Sequence, residues 1–173
     1  TENYAVWFVG GVRCVKEKVG HVTVHADGEK CFCGNVGCLE MYAAIPNIVS
    51  WLKSTAKHQA AACNINNWQD LLEGARSGEK LCKAAIDRMI HYLGIGMVTL
   101  VNLFDPQCIF LGEDLCQAAD LLAEPLMKYI HEHRFSSKEK PVPVKPSRFS
   151  GAAPMIGPAA LAIEKMLPSK ISN

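Results

Sequence analysis

A cluster of cysteine, histidine and glycine near the start of the chain constrains the fold more than any other feature. The candidate metal ligands in it are His21, Cys31, Cys33 and Cys38. One imidazole and three thiolates form the nitrogen and sulfur set that tetrahedral zinc takes, and glycines at positions 28, 34 and 37 suit the sharp turns between them. Because four protein ligands leave no position for an activated water, the pattern predicts a structural zinc ion (Zn2+).

Two other interpretations of the cluster stay open at this point. His21 could be a buried core histidine beside reduced thiols, or the thiols could form a redox pair. Cys31 and Cys33 are poorly spaced for a mutual disulfide, because alternate residues of an extended segment point to opposite sides. The other cysteines are interpreted as packing residues. They are Cys14, Cys63, Cys82, Cys108 and Cys116.

Composition indicates a globular domain of ordinary kind. The 173 residues are 49% hydrophobic and 20% charged, and 18 basic against 17 acidic residues give a formal net charge of +1. That balance leaves no broad basic field for nucleic acid or an anionic membrane. The longest apolar run, residues 93–104, is too short for a bilayer, and no signal-peptide pattern opens the chain. A reducing, cytoplasmic setting is therefore expected.

Hydrophobic periodicity predicts an α/β fold. Strands are predicted at residues 4–9, about 19–25 and 108–111, with an edge-like strand around Val142 and Val144. Helices are predicted at residues 39–61, broken near Pro46 with Asn47 as a cap, and at 68–75, 79–104, 114–133 and 151–167. Glycines at positions 94 and 96 inside the helix predicted at 79–104 indicate close packing of its backbone against a neighbour, and Asp105-Pro106 is a stop signal for that helix.

The longest motif in the chain consists of GHVTV at residues 20–24, Asp27-Gly28, and CFCGNVGCLE at residues 31–40. At this spacing it resembles the signature of the ROK family of repressors and sugar kinases. VNLFDP at residues 101–106 is similar to the family's approach to its nucleotide-side loop, and GPAA at residues 157–160 to its C-terminal helix.

The resemblance implies an actin-like, ribonuclease H-like α/β fold in which two lobes close on a sugar. Residues 1–173 resemble a single second, C-terminal lobe, with a zinc knuckle at about residues 20–40 and a final helix at about 151–167. The N-terminal lobe and any DNA-binding domain would then lie outside this chain.

The resemblance also assigns site residues. The histidine matching His21 binds zinc and faces the sugar, while the glutamate matching Glu40 contacts sugar hydroxyls. Zinc on one ring nitrogen would fix the imidazole so that the other could hydrogen-bond a ligand. The simpler interpretation of Glu40 is a carboxylate favoured at a helix N-terminus by the helix dipole.

Three departures from the family pattern bear on activity. The family's sugar-binding glutamate falls at Lys18, with Glu17 beside it, so either the register slips or a sugar contact is lost. The extended phosphate loop is reduced to Gly10-Gly11, and the glycine pair expected after the third strand is Gly112-Glu113-Asp114. The family's catalytic aspartate belongs upstream of Thr1, so no catalytic residue is predicted here.

The combined prediction is the effector-binding and oligomerising part of a sugar-responsive ROK transcriptional regulator. Its partners would be a sugar or sugar phosphate, DNA only through an N-terminal segment outside the chain, and further copies in a homodimer or higher oligomer, with no membrane. The alternatives are the C-terminal lobe of an ATP-dependent ROK sugar kinase and a stand-alone zinc-stabilised interaction module.

Overall fold

The computed structural model describes residues 18–58, 65–135 and 140–147. The elements in chain order are α1 (Leu39–Ala43), α2 (Ile45–His58), α3 (Trp68–Ser77), α4 (Lys80–Phe104), β1 (Ile109–Leu111), a 3-10 helix (Glu113–Ala118), α5 (Ala119–His133) and β2 (Val144–Pro146). The predicted strand at residues 4–9, the glycine pair at 10–11, the 157–160 motif and the final helix at 151–167 lie outside the described residues.

Helix α4 is the centre of the described core, and α1, α2, α3 and α5 all pack against it. Two of its glycines are buried where neighbours come closest, as the sequence predicts. A Cβ at Gly94 would collide with the ring of Tyr129 on α5, and one at Gly96 would lie 2.8 Å from Leu39 Cδ2 on α1. Gly96 therefore sets how closely the segment after Cys38 approaches the core.

The length argument against a membrane span is wrong for this helix. The helix extends beyond the apolar run at residues 93–104 to the full Lys80–Phe104, which by length and composition alone could cross a bilayer. Its packing against four other helices is that of a core helix in a globular protein.

Local sequence signals set the ends of α3 and α4. The side chain of Asn67 accepts a hydrogen bond from the backbone N–H of Asp70, whose own side chain bonds back to Asn67, forming a capping box. Gly78 closes α3 at φ 93°, and Asp105 closes α4 at φ 42° before Pro106. The predicted stop at Asp105-Pro106 is confirmed.

A parallel pairing of β1 with β2 supplies the β component of the fold. Ile109 pairs with Val144 and Leu111 with Pro146, and the chain returns between the strands through α5. Parallel strands joined by a helix form the unit expected of an α/β protein. Leu111 and Val144 are buried, which ties this pair of strands to the helical core.

Two local predictions are wrong. Residues 19–25 do not form a strand: a helical turn covers residues 18–20, and Thr23 makes one isolated antiparallel bridge with Cys38. Asn47 does not cap α2, because that helix already begins at Ile45. The amide of Asn47 instead donates to the carbonyl oxygen of Glu40 at 2.8 Å, a contact across the break between α1 and α2.

Candidate metal centre

Within the knuckle predicted at about residues 20–40, residues 21–38 form a compact loop. This loop, called the knuckle below, is held by hydrogen bonds between its own backbone groups. The N–H of Val24 donates to the carbonyl of Gly37 at 2.8 Å, and the N–H of Gly37 donates to Glu29 at 2.8 Å. At the tip, the N–H of Cys31 donates to Asn35 at 2.8 Å. These bonds fold the segment back on itself, so that residues distant along the loop meet.

Glycine is required at two of the turns for different reasons. Gly34 has φ 92° and open space around it, whereas Gly37 has φ 72° and is buried against the backbone of His25. A Cβ at Gly37 would collide with the carbonyl oxygen of His25. Gly37 therefore answers both a conformational and a steric demand, and Gly34 only the first.

The four predicted ligand side chains come together. The ligand atoms of His21, Cys31, Cys33 and Cys38 all lie within 4.8 Å of one another. The Sγ of Cys31 lies 3.5 Å from Nδ1 of His21, and the two sulfurs of Cys33 and Cys38 are 3.7 Å apart. A zinc tetrahedron with ligands at its usual bond lengths has N–S edges of about 3.5 Å and S–S edges of about 3.8 Å, so the donor set fits that ion.

The buried thiol of Cys38 is poorly suited to ionise without a cation. Burial, followed by the neighbouring thiols of Cys33 and Cys31, raises the pKa of Cys38 to about 11. A hydrogen bond from the backbone N–H of Asn35 lowers the pKa of Cys33, which lies at the surface. A bound dication would remove the penalty on the buried thiolate, because metal coordination stabilises the deprotonated sulfur.

Asn35 is a structural member of the cluster that the sequence analysis does not single out. Its side-chain amide donates to the hydroxyl of Thr23 at 2.9 Å and to the Sγ of Cys38 at 3.4 Å. An N–H donor aimed at a sulfur favours the thiolate form. The only sequence signal for it is an asparagine after a glycine in a short turn, a pattern that marks the turn but not this partner.

Glu40 lies next to His21, the other residue expected to face a sugar. Its Oε2 is 3.6 Å from Nδ1 of His21. Phe32 packs edge-on against the same imidazole with ring centroids 5.2 Å apart, yet 80% of its surface is exposed. The three side chains therefore bring a carboxylate, an imidazole and an accessible aromatic face close together.

A surface cavity of about 440 Å³ opens beside this group. It is lined by Lys30, Phe32, Glu40, Met41, Ala44, Pro46 and Asn47. Its volume lies in the range of small-molecule sites, and it combines apolar walls with a few polar groups. His21 is not part of the lining, so of the two predicted sugar contacts only Glu40 reaches this cavity.

The Lys18 position lies on the turn before the knuckle. Its side chain is exposed, and its carbonyl accepts the N–H of His21 at 3.1 Å. Glu17, the other candidate for the missing family glutamate, lies outside the described residues.

Comparison with known proteins places this geometry in context. The model of the ROK family matches residues 6–165. The chain is 28% identical to the xylose repressor of Caldicellulosiruptor bescii over 87% of its length and 39% of the relative's. It is 30% identical to the DNA-binding transcriptional repressor Mlc of Escherichia coli, over 86% of this chain and 37% of that protein. A glucokinase of Streptomyces coelicolor is 28% identical, over 87% and 51% of the two chains.

Solved structures give the same two classes. A ROK family glucokinase from Streptomyces griseus, in complex with glucose and AMPPNP, superposes with a TM-score of 0.74 at 24% identity, covering 84% of this chain and 51% of its own. A ROK family transcriptional regulator homologous to the E. coli Mlc protein gives 0.70 at 29% identity, covering 82% and 37%. The expected α/β, actin-like fold class is confirmed, while zinc in the knuckle stays a prediction. The chain spans about two fifths to one half of the length of these relatives.

Alanine at the two turn glycines tests the knuckle geometry. We expect Gly34→Ala to lower the free energy of unfolding by about 1 to 2 kcal/mol, the cost of a left-handed conformation for a residue with a Cβ. We expect Gly37→Ala to lower it by a clearly larger amount, because the added methyl also meets the His25 carbonyl. Urea unfolding followed by circular dichroism gives both values, and equal losses would contradict the steric role of Gly37.

Proposed function

The chain belongs to the ROK family, and we propose that it is the effector-binding part of a sugar-responsive transcriptional regulator of that family. The observation that carries this choice is the acidic turn after β1, where the 3-10 helix begins. The carboxyl ends of parallel strands are where α/β folds open their ligand crevice, and the family resemblance expects a glycine pair there for a nucleotide. Here Glu113 and Asp114 follow Gly112, and both are exposed.

The backbone conformation of Glu113 also favours the regulator over the kinase. Glu113 has φ 50°, the left-handed region that glycine adopts most easily, so a turn suited to glycine carries a carboxylate. Two negative charges at this position oppose the approach of a polyphosphate, since like charges a few ångströms apart repel. Phosphoryl transfer instead needs groups that neutralise phosphate charge.

A structural zinc ion is part of the proposal. His21, Cys31, Cys33 and Cys38 would hold it, and the ion would balance the charge of the thiolates and cross-link the loop. Within the described residues the nearby carboxylate is Glu40, which would remain available to a ligand. Reduced thiols fit a reducing compartment such as the cytoplasm.

Sugar binding at the knuckle is the second part of the proposal. Glu40 would accept hydrogen bonds from sugar hydroxyls in the cavity, and the exposed ring of Phe32 would cover an apolar face of the ligand. Zinc bound at Nδ1 of His21 would leave Nε2 for a second hydrogen bond to the sugar, made outside the cavity, which His21 does not line. A sugar or sugar phosphate is the class of effector that these groups suit.

The rest of the proposal concerns the full-length protein. Residues 1–173 would be its C-terminal lobe, and DNA contact would come from a segment outside this chain, in keeping with a formal net charge of +1. Association into a homodimer or higher oligomer is proposed from the apolar predicted helix at residues 151–167, which calls for a partner surface.

The lobe of an ATP-dependent sugar kinase is the alternative function. It is favoured by the similarity to glucokinases, both in sequence and in fold. The two functions make opposite predictions for turnover with ATP.

Phosphorylation assays separate the two functions. We expect the full-length protein, incubated with ATP, Mg2+ and a panel of hexoses, pentoses and N-acetylhexosamines, to form no ADP above a blank without sugar. A glucokinase of the family assayed in parallel serves as the positive control. Sugar-dependent ADP formation would establish the kinase alternative instead.

Metal analysis tests the zinc site. We expect about one equivalent of zinc per chain by mass spectrometry of the purified protein, and a loss of most of it in Cys33→Ser, which removes one of four ligands. Cys108→Ser, a cysteine outside the cluster, is the matched control and should retain the metal. Wild-type protein that is purified without metal, and whose melting temperature does not change when zinc is added, would rule the site out.

Calorimetry tests the sugar contact. We expect Glu40→Gln to weaken sugar binding by the full-length protein about tenfold or more, because hydrogen bonds to a charged group contribute about 1.5 to 3 kcal/mol. Glu29→Gln removes the same charge from an exposed position of the knuckle that does not line the cavity, and should bind normally. Equal affinity of Glu40→Gln and wild type would remove Glu40 from the site.

A further inference from the structure

Tyr42 joins the knuckle to the helical core at one buried point. It lies on α1, two residues after Glu40, and only 3% of its surface is exposed. Its hydroxyl accepts the backbone N–H of Glu29 at 2.6 Å. The knuckle comes so close here that a Cβ at Gly28 would collide with the same hydroxyl.

A second backbone hydrogen bond links Glu29 to the turn just before Cys38, the last of the four candidate ligands. The carbonyl of Glu29 accepts the N–H of Gly37 at 2.8 Å, and Gly37 directly precedes Cys38. The backbone of Glu29 thus connects Tyr42, through its N–H, with the turn at Gly37, through its carbonyl. A shift of the Glu29 backbone would move that turn and the sulfur of Cys38 with it.

The ring of Tyr42 is also held by two side chains of α4. It stacks on Tyr92 with centroids 4.4 Å apart and an angle of 27° between the rings. The guanidinium carbon of Arg88 lies 5.2 Å from the centroid of the Tyr42 ring, and 5.0 Å from the rings of both Tyr92 and Trp51. A cation placed over several aromatic faces is attracted by each of them, which favours one position for the Tyr42 ring.

We infer that Tyr42 is a positioning residue that sets the geometry of the knuckle through its hydrogen bond to Glu29, and so controls how tightly the cluster retains its metal. The inference rests on the proposed zinc site for its metal readout. Helix α1 spans only Leu39–Ala43, too short to be stable without tertiary contacts. Tyr42 therefore supplies a link between core and knuckle that the short helix alone cannot provide.

The variant Tyr42→Phe isolates this link. It keeps the ring, the stacking on Tyr92 and the contact with Arg88, and removes only the acceptor of the Glu29 N–H. We expect zinc to transfer to the chelator 4-(2-pyridylazo)resorcinol about tenfold faster than from wild type, the lower end of the effect of losing a group that supports metal ligands. Faster amide hydrogen exchange at Glu29 is expected in the same variant.

Tyr92→Phe is the matched control, because within the described residues no hydrogen bond involves the Tyr92 hydroxyl. It should release zinc at the wild-type rate, and far-UV circular dichroism should show the helices intact in both variants. Wild-type zinc release together with wild-type exchange at Glu29 in Tyr42→Phe would overturn the inference. Should the wild-type protein prove free of zinc, the proposed metal site fails, and exchange at Glu29 in the metal-free proteins alone decides whether Tyr42 positions the knuckle.

Discussion

The structure of the candidate site depends on one constraint: three sulfurs and an imidazole must share a small volume at the end of a loop. Thiolates at such distances repel one another, and burial together with the neighbouring thiols raises the pKa of Cys38 to about 11. The loop can fold this tightly because Gly37 packs directly against the backbone of His25. A bound zinc ion would balance the charge of the thiolates. Phe32 lies in this loop and Glu40 follows it by two residues, so the fold of the loop also sets their positions.

Helix α4 gives the loop its fixed frame. Gly96 lets Leu39 approach, Leu39 begins α1, and α1 carries both Glu40 and Tyr42. The chain of contacts therefore runs from the middle of a long core helix to the carboxylate beside the cavity. A side chain at Gly96 should therefore displace Leu39 and, through α1, the carboxylate of Glu40, because packed interiors transmit small displacements.

The same fold serves repressors and glucokinases, so the fold cannot decide between these functions. In the proposed function, the difference lies at the ends of the strands. At the end of β1 this chain places the carboxylates of Glu113 and Asp114, with Glu113 in a left-handed conformation. This turn supports the proposed regulator over a kinase lobe, because its two carboxylates would repel a nucleotide polyphosphate.

Much of this could be predicted from the sequence, because the signals are local. Residue chemistry and spacing predict the four candidate ligands, the start of α3, the end of α4, and the close approaches at Gly94 and Gly96. Other features depend on partners distant in the chain. Residues 19–25 alternate like a strand, but their backbone groups bond to the far end of the knuckle and not to a neighbouring strand of a sheet. Val24 donates to Gly37, and Leu39 donates to Val22. Only the tertiary structure turns Asn47 toward Glu40, aims Asn35 at a sulfur and joins Tyr42 to Glu29, because no local pattern encodes which buried donor will meet which acceptor.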